Sequence, residues 1–444
     1  MDTITTTANA EWTLSRKIIF RFFCCFFILY TFPFPLNNFP FGAEVRKISE
    51  HILGWYYWLW DQVTNFWHWL IPLVGKYLLG LDTPITIFTN GSGDTTYDYV
   101  LLLTHILLAV IISAIWGVLD RKRKSYNTAY YWLCVLVRYF LAGMMLVYGL
   151  IKVFHLQMGY PSLVRLTQPY GNSSPMGLVW TYVGQSKAFS MVVGISETIC
   201  GLLLLFRKTT LAGALLSLIV MGNVVVINFC YDVPVKLFSS VLELIALYLA
   251  WPYLKKLYQI LIQHKPGILE NYVQPAFKRR WFSITVKVLK VLIIADALYY
   301  GIAGNIDGMK QYGDLRTKPL LYGIYNTEMI VKNNDTIPLL LTDTSSWKQL
   351  IIDREGFSYI KTMNDSSRYY NFKVDTVAKT ALVFSNRDTL NKSTLHFTRE
   401  PGRLVLTGKL NGDSVYMRFK RFDEKSFLLM NRGFRWVNEY PFNR

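Results

Sequence analysis

Charge is scarce in this sequence: of 444 residues, 17% are Asp, Glu, Lys or Arg, while 52% are hydrophobic. Soluble domains carry about 25% charged residues, so the deficit points to lipid as the solvent for much of the chain. Cysteine is scarce too, at five, namely Cys24, Cys25, Cys134, Cys200 and Cys230. None lies in the C-terminal third and no C-x-x-C pair occurs, which excludes a disulfide there and a paired redox motif, leaving only a relay between thiols that the fold brings together. Free Cys is commonly a small buried apolar residue.

Of the six histidines, His51, His68, His105, His155, His264 and His396, only His105 falls well inside an apolar run. A haem held between two helix histidines is therefore poorly supported. H-E-x-x-H, P-loop, G-x-S-x-G and dinucleotide motifs are absent from any credible context, so neither a metal nor a nucleotide cofactor is indicated.

A net charge of +18 is not a nucleic-acid footprint, because the basic residues sit between apolar segments rather than on one solvated face. Spanning hydrocarbon takes about 20 apolar residues as helix. That length predicts spans at 16–34, 98–119, 128–156, 186–206, 209–230, 235–253 and 282–304. The first has no small-x-small cleavage site and runs into Pro33 and Pro35, which predicts a retained anchor. With a cytoplasmic N-terminus, Arg16/Lys17, Arg121 to Lys124, Arg207/Lys208, Lys255/Lys256, Lys265 and Lys278 to Arg280 all fall on the inner side. The acids Glu44, Glu50, Asp61, Asp82, Asp94 and Asp98 fall outside. An odd span count then exports the C-terminal domain to the periplasmic side of a bacterial inner membrane.

Residues 51–81 hold Trp55, Trp58, Trp60, Trp67 and Trp69 among Asp61, Asn65 and His68, which predicts a helix lying in the outer interface rather than an eighth span. The expected organisation is 1–125 as N-terminal helices, 126–262 as a four-helix core, 263–311 as a basic loop and last span, and 312–444 as an all-β domain. In that last part short alternating runs read as strands, among them LLYGIYNTEMIV, TIPLLLTD, SVYMRFKRF and SFLLMNRG, are punctuated by NND and NGD turns. About eight strands there suit a small antiparallel barrel or sandwich, usually filled by its own side chains.

Ionisable groups inside a span are costly and tend to be functional. The spans contain His105, Arg138, Lys152, Glu197, Glu243 and Asp296, with Asn223 and Asn228 beside them. At about 1.5 Å rise per residue, His105, Asn223 and Asp296 lie roughly 10 Å deep from the outer end, with Glu197 and Glu243 near the midplane. Two arrangements fit. The groups converge on a polar cavity opening outward, or Lys152 pairs locally with Glu197 or Glu243 and fixes helix register. Gly194 and Gly201, seven apart on one helix face, predict close approach of a neighbour, as does Gly213 on the next helix. An Asp232–Lys236 pair flanking Pro234 is expected to add little stability.

The stretch from Arg138 to about Trp251 resembles the DoxX family of bacterial membrane proteins. The likeness rests on Arg138, Gly149 and Lys152 in RYFLAGMMLVYGLIKVF, on Glu197, Gly201 and Arg207 in GISETICGLLLLFRKTTLAGA, and on NVVVINFCYDVPVKLFS. Long members from Bacteroidetes look similar in SPMGLVWTYVG, the RKTT turn and YDVPVKLF, and in the flanking GSGDTTYDYV and NRGFRWVNEYPFNR. The resemblance implies a four-helix membrane core and a subunit working with quinone or with a partner oxidoreductase. Glu197 and Glu243 would then accept protons, Lys152 and Arg138 would be charge partners, and His105 would donate to a quinone carbonyl. Asn223 and Asp296 would line the cofactor. Two other readings stay open. One is an anchor presenting the β-domain to an envelope partner, through interface types such as Arg432, Phe434, Arg435 and Trp436. The other is a small-solute or lipid transporter, although paired helices broken by Gly or Pro are missing.

Overall fold

A computed structural model describes residues 11–36, 50–87, 91–269, 280–385 and 388–443. The helices are α1 Leu14–Thr31, α2 Glu50–Leu73, α3 Thr96–Leu119, α4 Asn127–Val153, α5 Leu163–Leu166, α6 Pro175–Gln185, α7 Lys187–Leu205, α8 Thr210–Cys230, α9 Lys236–Leu261, α10 Arg280–Gln311 and α11 Leu428–Asn431. Five of them, α3, α4, α7, α8 and α9, are long and apolar enough by composition alone to cross a membrane. The chain forms two compact units, Met1–Gln157 with Ala188–Asp307, and Met158–Lys187 with Gly308–Arg444.

The first unit is a helical bundle whose centre is formed by Val137, Leu141, Ala142, Cys200, Leu204, Ile245, Ala246 and Leu249. Local chemistry starts its helices. Thr13 caps α1 by accepting from the Arg16 N–H, and Thr95 with Asp98 forms a reciprocal capping box at α3. Contacts near helix ends then set directions. The Trp12 N–H donates to the Lys124 carbonyl (3.0 Å), so α1 starts where α3 ends and α4 begins. Asp94 accepts from the N–H groups of Lys236 and Leu237 (2.8 and 3.0 Å), so α3 and α9 start together at the other end. Lys290 reaches the Leu205 carbonyl (3.0 Å), while Gly301 faces Leu150, which lays α10 along α4.

The helices α1, α3, α4, α7, α8, α9 and α10 therefore alternate in direction, and the chain between α1 and α3, which includes α2, starts and finishes at one end. Arg121 to Lys124, Arg207/Lys208 and Lys255/Lys256 gather at the end where α1 begins. Together the spans make this a multi-pass membrane protein, with α2 running from Glu50 to Leu73 and on into a π turn at Val74–Leu78.

The second unit is built on strands β1 Gly323–Lys332, β2 Asp335–Ile337, β3 Trp347–Arg354, β4 Gly356–Thr362, β5 Ser367–Asp375, β6 Thr380–Ser385, β7 Asp388–Glu400, β8 Arg403–Leu410 and β9 Asp413–Phe422. Each pairs antiparallel with the next around the sheet, β9 returns to β1, and the short β2 extends the far half of β1. This is a closed barrel rather than a sandwich. Closure removes the unpaired edges that invite aggregation. The β1–β2 and β8–β9 turns place Asn333, Asn334, Asn411 and Gly412 at positive φ, as a two-residue type I′ turn requires. Tyr325, Leu350, Phe372, Val383, Leu395, Leu406 and Phe419 fill the interior.

Two details differ from the sequence-based expectation. SFLLMNRG, read as a strand, forms the helical turn α11, and only Thr336 and Ile337 of the TIPLLLTD run pair, because Pro338 has no N–H to donate. The boundary also shifts. Residues 158–187, expected within the four-helix core, pack on the barrel, where Leu163 covers outward-facing Ile324 and Ile351 beside Val164, Leu166 and Phe422. The alternation of β1 and β3 explains this patch, since Ile324 opposite Ile351 must face away from the interior when Tyr325 opposite Leu350 faces in.

Candidate intramembrane site

Lys152 lies in the last turn of α4 and Glu197 in the middle of α7. Its ammonium donates to both carboxylate oxygens of Glu197 (2.8 and 2.7 Å), and both side chains are buried. Glycine makes this approach attainable. A Cβ on Gly149 would lie 2.6 Å from the Thr198 backbone nitrogen, and one on Gly194 would lie 2.6 Å from the Gly149 carbonyl. Gly201 continues the seam against Leu146 and the Ala142 carbonyl. The neighbour anticipated for Gly194 and Gly201 is thus α4, and Gly213 of α8 packs less tightly on Leu203 and Leu204, where a Cβ would lie 3.0 Å away. Ser190 donates to the Lys152 carbonyl (2.9 Å), tying the last turn of α4 to α7.

Such a pair combines strong attraction in a low-dielectric interior with a large desolvation penalty. Its net contribution to stability is small. Removing one partner is a different matter, costing about 3–5 kcal/mol because an unpaired charge stays buried.

The other candidates sit elsewhere. Arg138 is near the middle of α4, fourteen positions before Lys152 or about 21 Å along one helix. It is buried, donates to the Thr210 hydroxyl (3.1 Å) and lies 4.8 Å from the Tyr139 ring centroid, which binds α4 to the start of α8. Glu243 of α9 faces Gly222 of α8, and its Oε2 is buried without a hydrogen bond. Asn223 is exposed, whereas Asn228 is buried and donates to the Ser239 hydroxyl (3.0 Å), so the asparagine that joins helices is the later one. Asp296 is half-buried on α10.

His105 has different surroundings again. It is buried on α3, with the Trp67 ring 4.8 Å away edge-on and Tyr30 at 6.4 Å, and neither ring nitrogen forms a hydrogen bond. Of the sequence candidates, therefore, the fold brings Lys152 and Glu197 into contact and leaves Arg138 about 21 Å away along α4.

Three residues with structural duties escape a search for charges deep in spans. Arg21 of α1 is buried and donates from Nε and Nη2 to the Tyr126 hydroxyl (3.0 and 2.7 Å), which itself donates to Asp120 (3.1 Å). Its signal is one arginine inside an aromatic run. Asp94 caps α9 from a distant loop and also lies 3.7 Å from Lys236, whose exposed pairing with Asp232 (2.8 Å) matches the spacing. Lys290 holds α10 to the end of α7 through a backbone carbonyl. Among the described residues no group of three or more His, Cys, Asp or Glu is arranged to hold a metal ion.

No family model matches the chain, and no solved structure matches it. An uncharacterized protein of Bacillus subtilis (strain 168), YwoB, is 33% identical over 116 residues, which cover 26% of this chain and 72% of YwoB. At that identity over that share of the smaller protein, the chain belongs to the family of YwoB.

Proposed function

We propose that this is a membrane anchor and assembly protein: a bundle in the bacterial inner membrane, with a cytoplasmic N-terminus, that holds a closed barrel on the periplasmic side for an envelope partner. The observation that carries this reading is the Lys152–Glu197 pair, in which both carboxylate oxygens accept from one ammonium and α4 is joined to α7. Arg138 and Asn228 likewise join one helix to the next. These are the duties of a scaffold. The basic clusters at the end where α1 begins support the orientation, since anionic lipid and the positive-inside bias both favour that end on the cytoplasmic side.

A second reading keeps the DoxX-like, quinone-linked role, and the observation that favours it is His105. Two unsatisfied ring nitrogens enclosed by Trp67 and Tyr30 suit a carbonyl acceptor on a lipid-soluble ring. Quinone content separates the two. The full chain, purified in mild detergent and extracted with solvent, is expected to carry no stoichiometric quinone and to show no spectral change on adding quinol, and photo-crosslinkers placed on the barrel are expected to capture one protein. Stoichiometric quinone lost on His105→Ala would overturn the anchor reading in favour of the second.

A further inference from the structure

We propose that the C-terminal arm, residues 427–443, is a second membrane anchor whose aromatic side chains lie in the headgroup layer of the bilayer that the helices span. After β9 ends at Phe422 the chain makes a 3-10 turn at Glu424–Ser426, packs Phe427 against Phe422 (5.0 Å) on the outside of the barrel, makes the turn α11 and continues without regular structure. Along it Phe434, Trp436, Val437 and Tyr440 stand in solvent, Trp436 91% and Tyr440 84% exposed. Phe434 and Trp436 meet edge to face at 5.0 Å, and Arg432 lies 4.1 Å over Phe442 while bonding Asn438 (2.7 Å). The arm thus has local order while its apolar rings stay uncovered. Exposed apolar clusters of this kind mark contact with a partner or a membrane.

Its place within the second unit selects lipid. The Leu429 carbonyl at the base of the arm accepts from the Gln185 side chain, and Gln185 lies two residues before Lys187, the first residue of the spanning helix α7. Lys187 in turn pairs with Asp314 (2.9 Å), three residues beyond the end of α10. Two peptide steps reach about 8 Å, and each headgroup layer is roughly 5–8 Å deep. The base of the arm is therefore tied to the chain two residues before α7.

The residue types agree. Trp and Tyr concentrate at membrane–water interfaces, where one side of the ring is wet and the other apolar. Arg432 and Arg435 are offset in part by Glu439, so ring partitioning dominates over attraction to anionic phosphates, and neutral lipid suffices. The inference rests on the bundle spanning a membrane and stands whichever function the protein has.

The test uses the full chain in phosphatidylcholine nanodiscs, one copy per disc. Glu439→Cys in the arm and Val377→Cys in the β5–β6 turn are each made in a Cys230→Ser background and labelled with an environment-sensitive fluorophore. The four other cysteines described are buried. The label at position 439 is expected to be blue-shifted, quenched by headgroup-level spin-labelled lipid and shielded from aqueous iodide. The label at 377, a site 93% exposed, is expected to show the reverse. Adding Trp436→Ser and Tyr440→Ser should abolish the lipid quenching at 439 while leaving 377 unchanged. Equal iodide quenching at both sites overturns the proposal. So does a label at 439 that is shielded in native membrane vesicles and open in single-copy discs, because a protein or a second copy then covers the arm.

Discussion

The two units bury very different things. Arg21, His105, Arg138, Lys152 and Glu197 are buried in the helical bundle, while among the described residues of the barrel the buried polar ones are Ser358 and Ser393. In the barrel, charge stays at the surface. Glu328, for example, sits half-buried at the surface between Arg403 (2.9 Å) and Arg418 (3.2 Å), where its hydrogen bond to Arg403 and the nearby cations hold its carboxyl below the ordinary range. A protein surface in water gives a charged side chain an exit, and a helix in lipid does not. Arg21, Arg138, Lys152 and Glu197 find partners inside and become the specific joints between helices that apolar packing against apolar lipid cannot define, whereas His105 forms no hydrogen bond. The barrel acquires its specificity from alternation and turn chemistry instead.

That contrast can be broken from the bundle side first. Glu197→Ala leaves the Lys152 ammonium buried and unpaired, with an expected loss of about 3–5 kcal/mol in the stability of the full chain, measured by unfolding in mild detergent. On the barrel side, Leu163→Ala removes the side chain that covers Ile324 and Ile351, with an expected cost of about 2–4 kcal/mol and new protease sensitivity in residues 158–187. Gly194→Ala tests the seam. Its Cβ would fall 2.6 Å from a backbone carbonyl, so α4 and α7 must separate, for an expected loss of about 1–3 kcal/mol and a weaker Lys152–Glu197 pair.

The smallest of these effects belongs to the barrel. Hydrogen bonds from the Ser346 side chain and the Ser345 backbone hold the Asp343 carboxyl well below its ordinary value. A depressed carboxyl contributes its stability above the unfolded value, about 3.9, and loses it as pH falls through that value toward the folded one. The stability gap between the wild type and Asp343→Ala is therefore expected to be widest at neutral pH and to close in acid. Urea titrations across that range measure it.

The sequence made one half of this contrast more legible than the other. The segments expected to span are all helical because continuous apolar runs of membrane length have few alternative structures, and the NND and NGD turns mark hairpins through a backbone preference that acts locally. The closure of β9 on β1 was not legible, since alternation along a strand does not say which strand it meets. Nor was the transfer of 158–187 to the barrel, which depends on Leu163 meeting two isoleucines far along the chain. Lys152 and Glu197 were recognisable as candidates because charges stand out in apolar helices. Which carboxylate Lys152 would choose depended on a glycine seam that only the packing of α4 on α7 reveals.

The central claim is that the charges inside the bundle are joints rather than reagents, and replacing both members of the pair tests it most directly. Lys152→Met and Glu197→Met are each expected to destabilise the full chain strongly, while the double variant recovers stability to within about 1 kcal/mol of the wild type, because two apolar side chains avoid the desolvation penalty that the pair offsets. A double variant as unstable as either single variant would contradict the account.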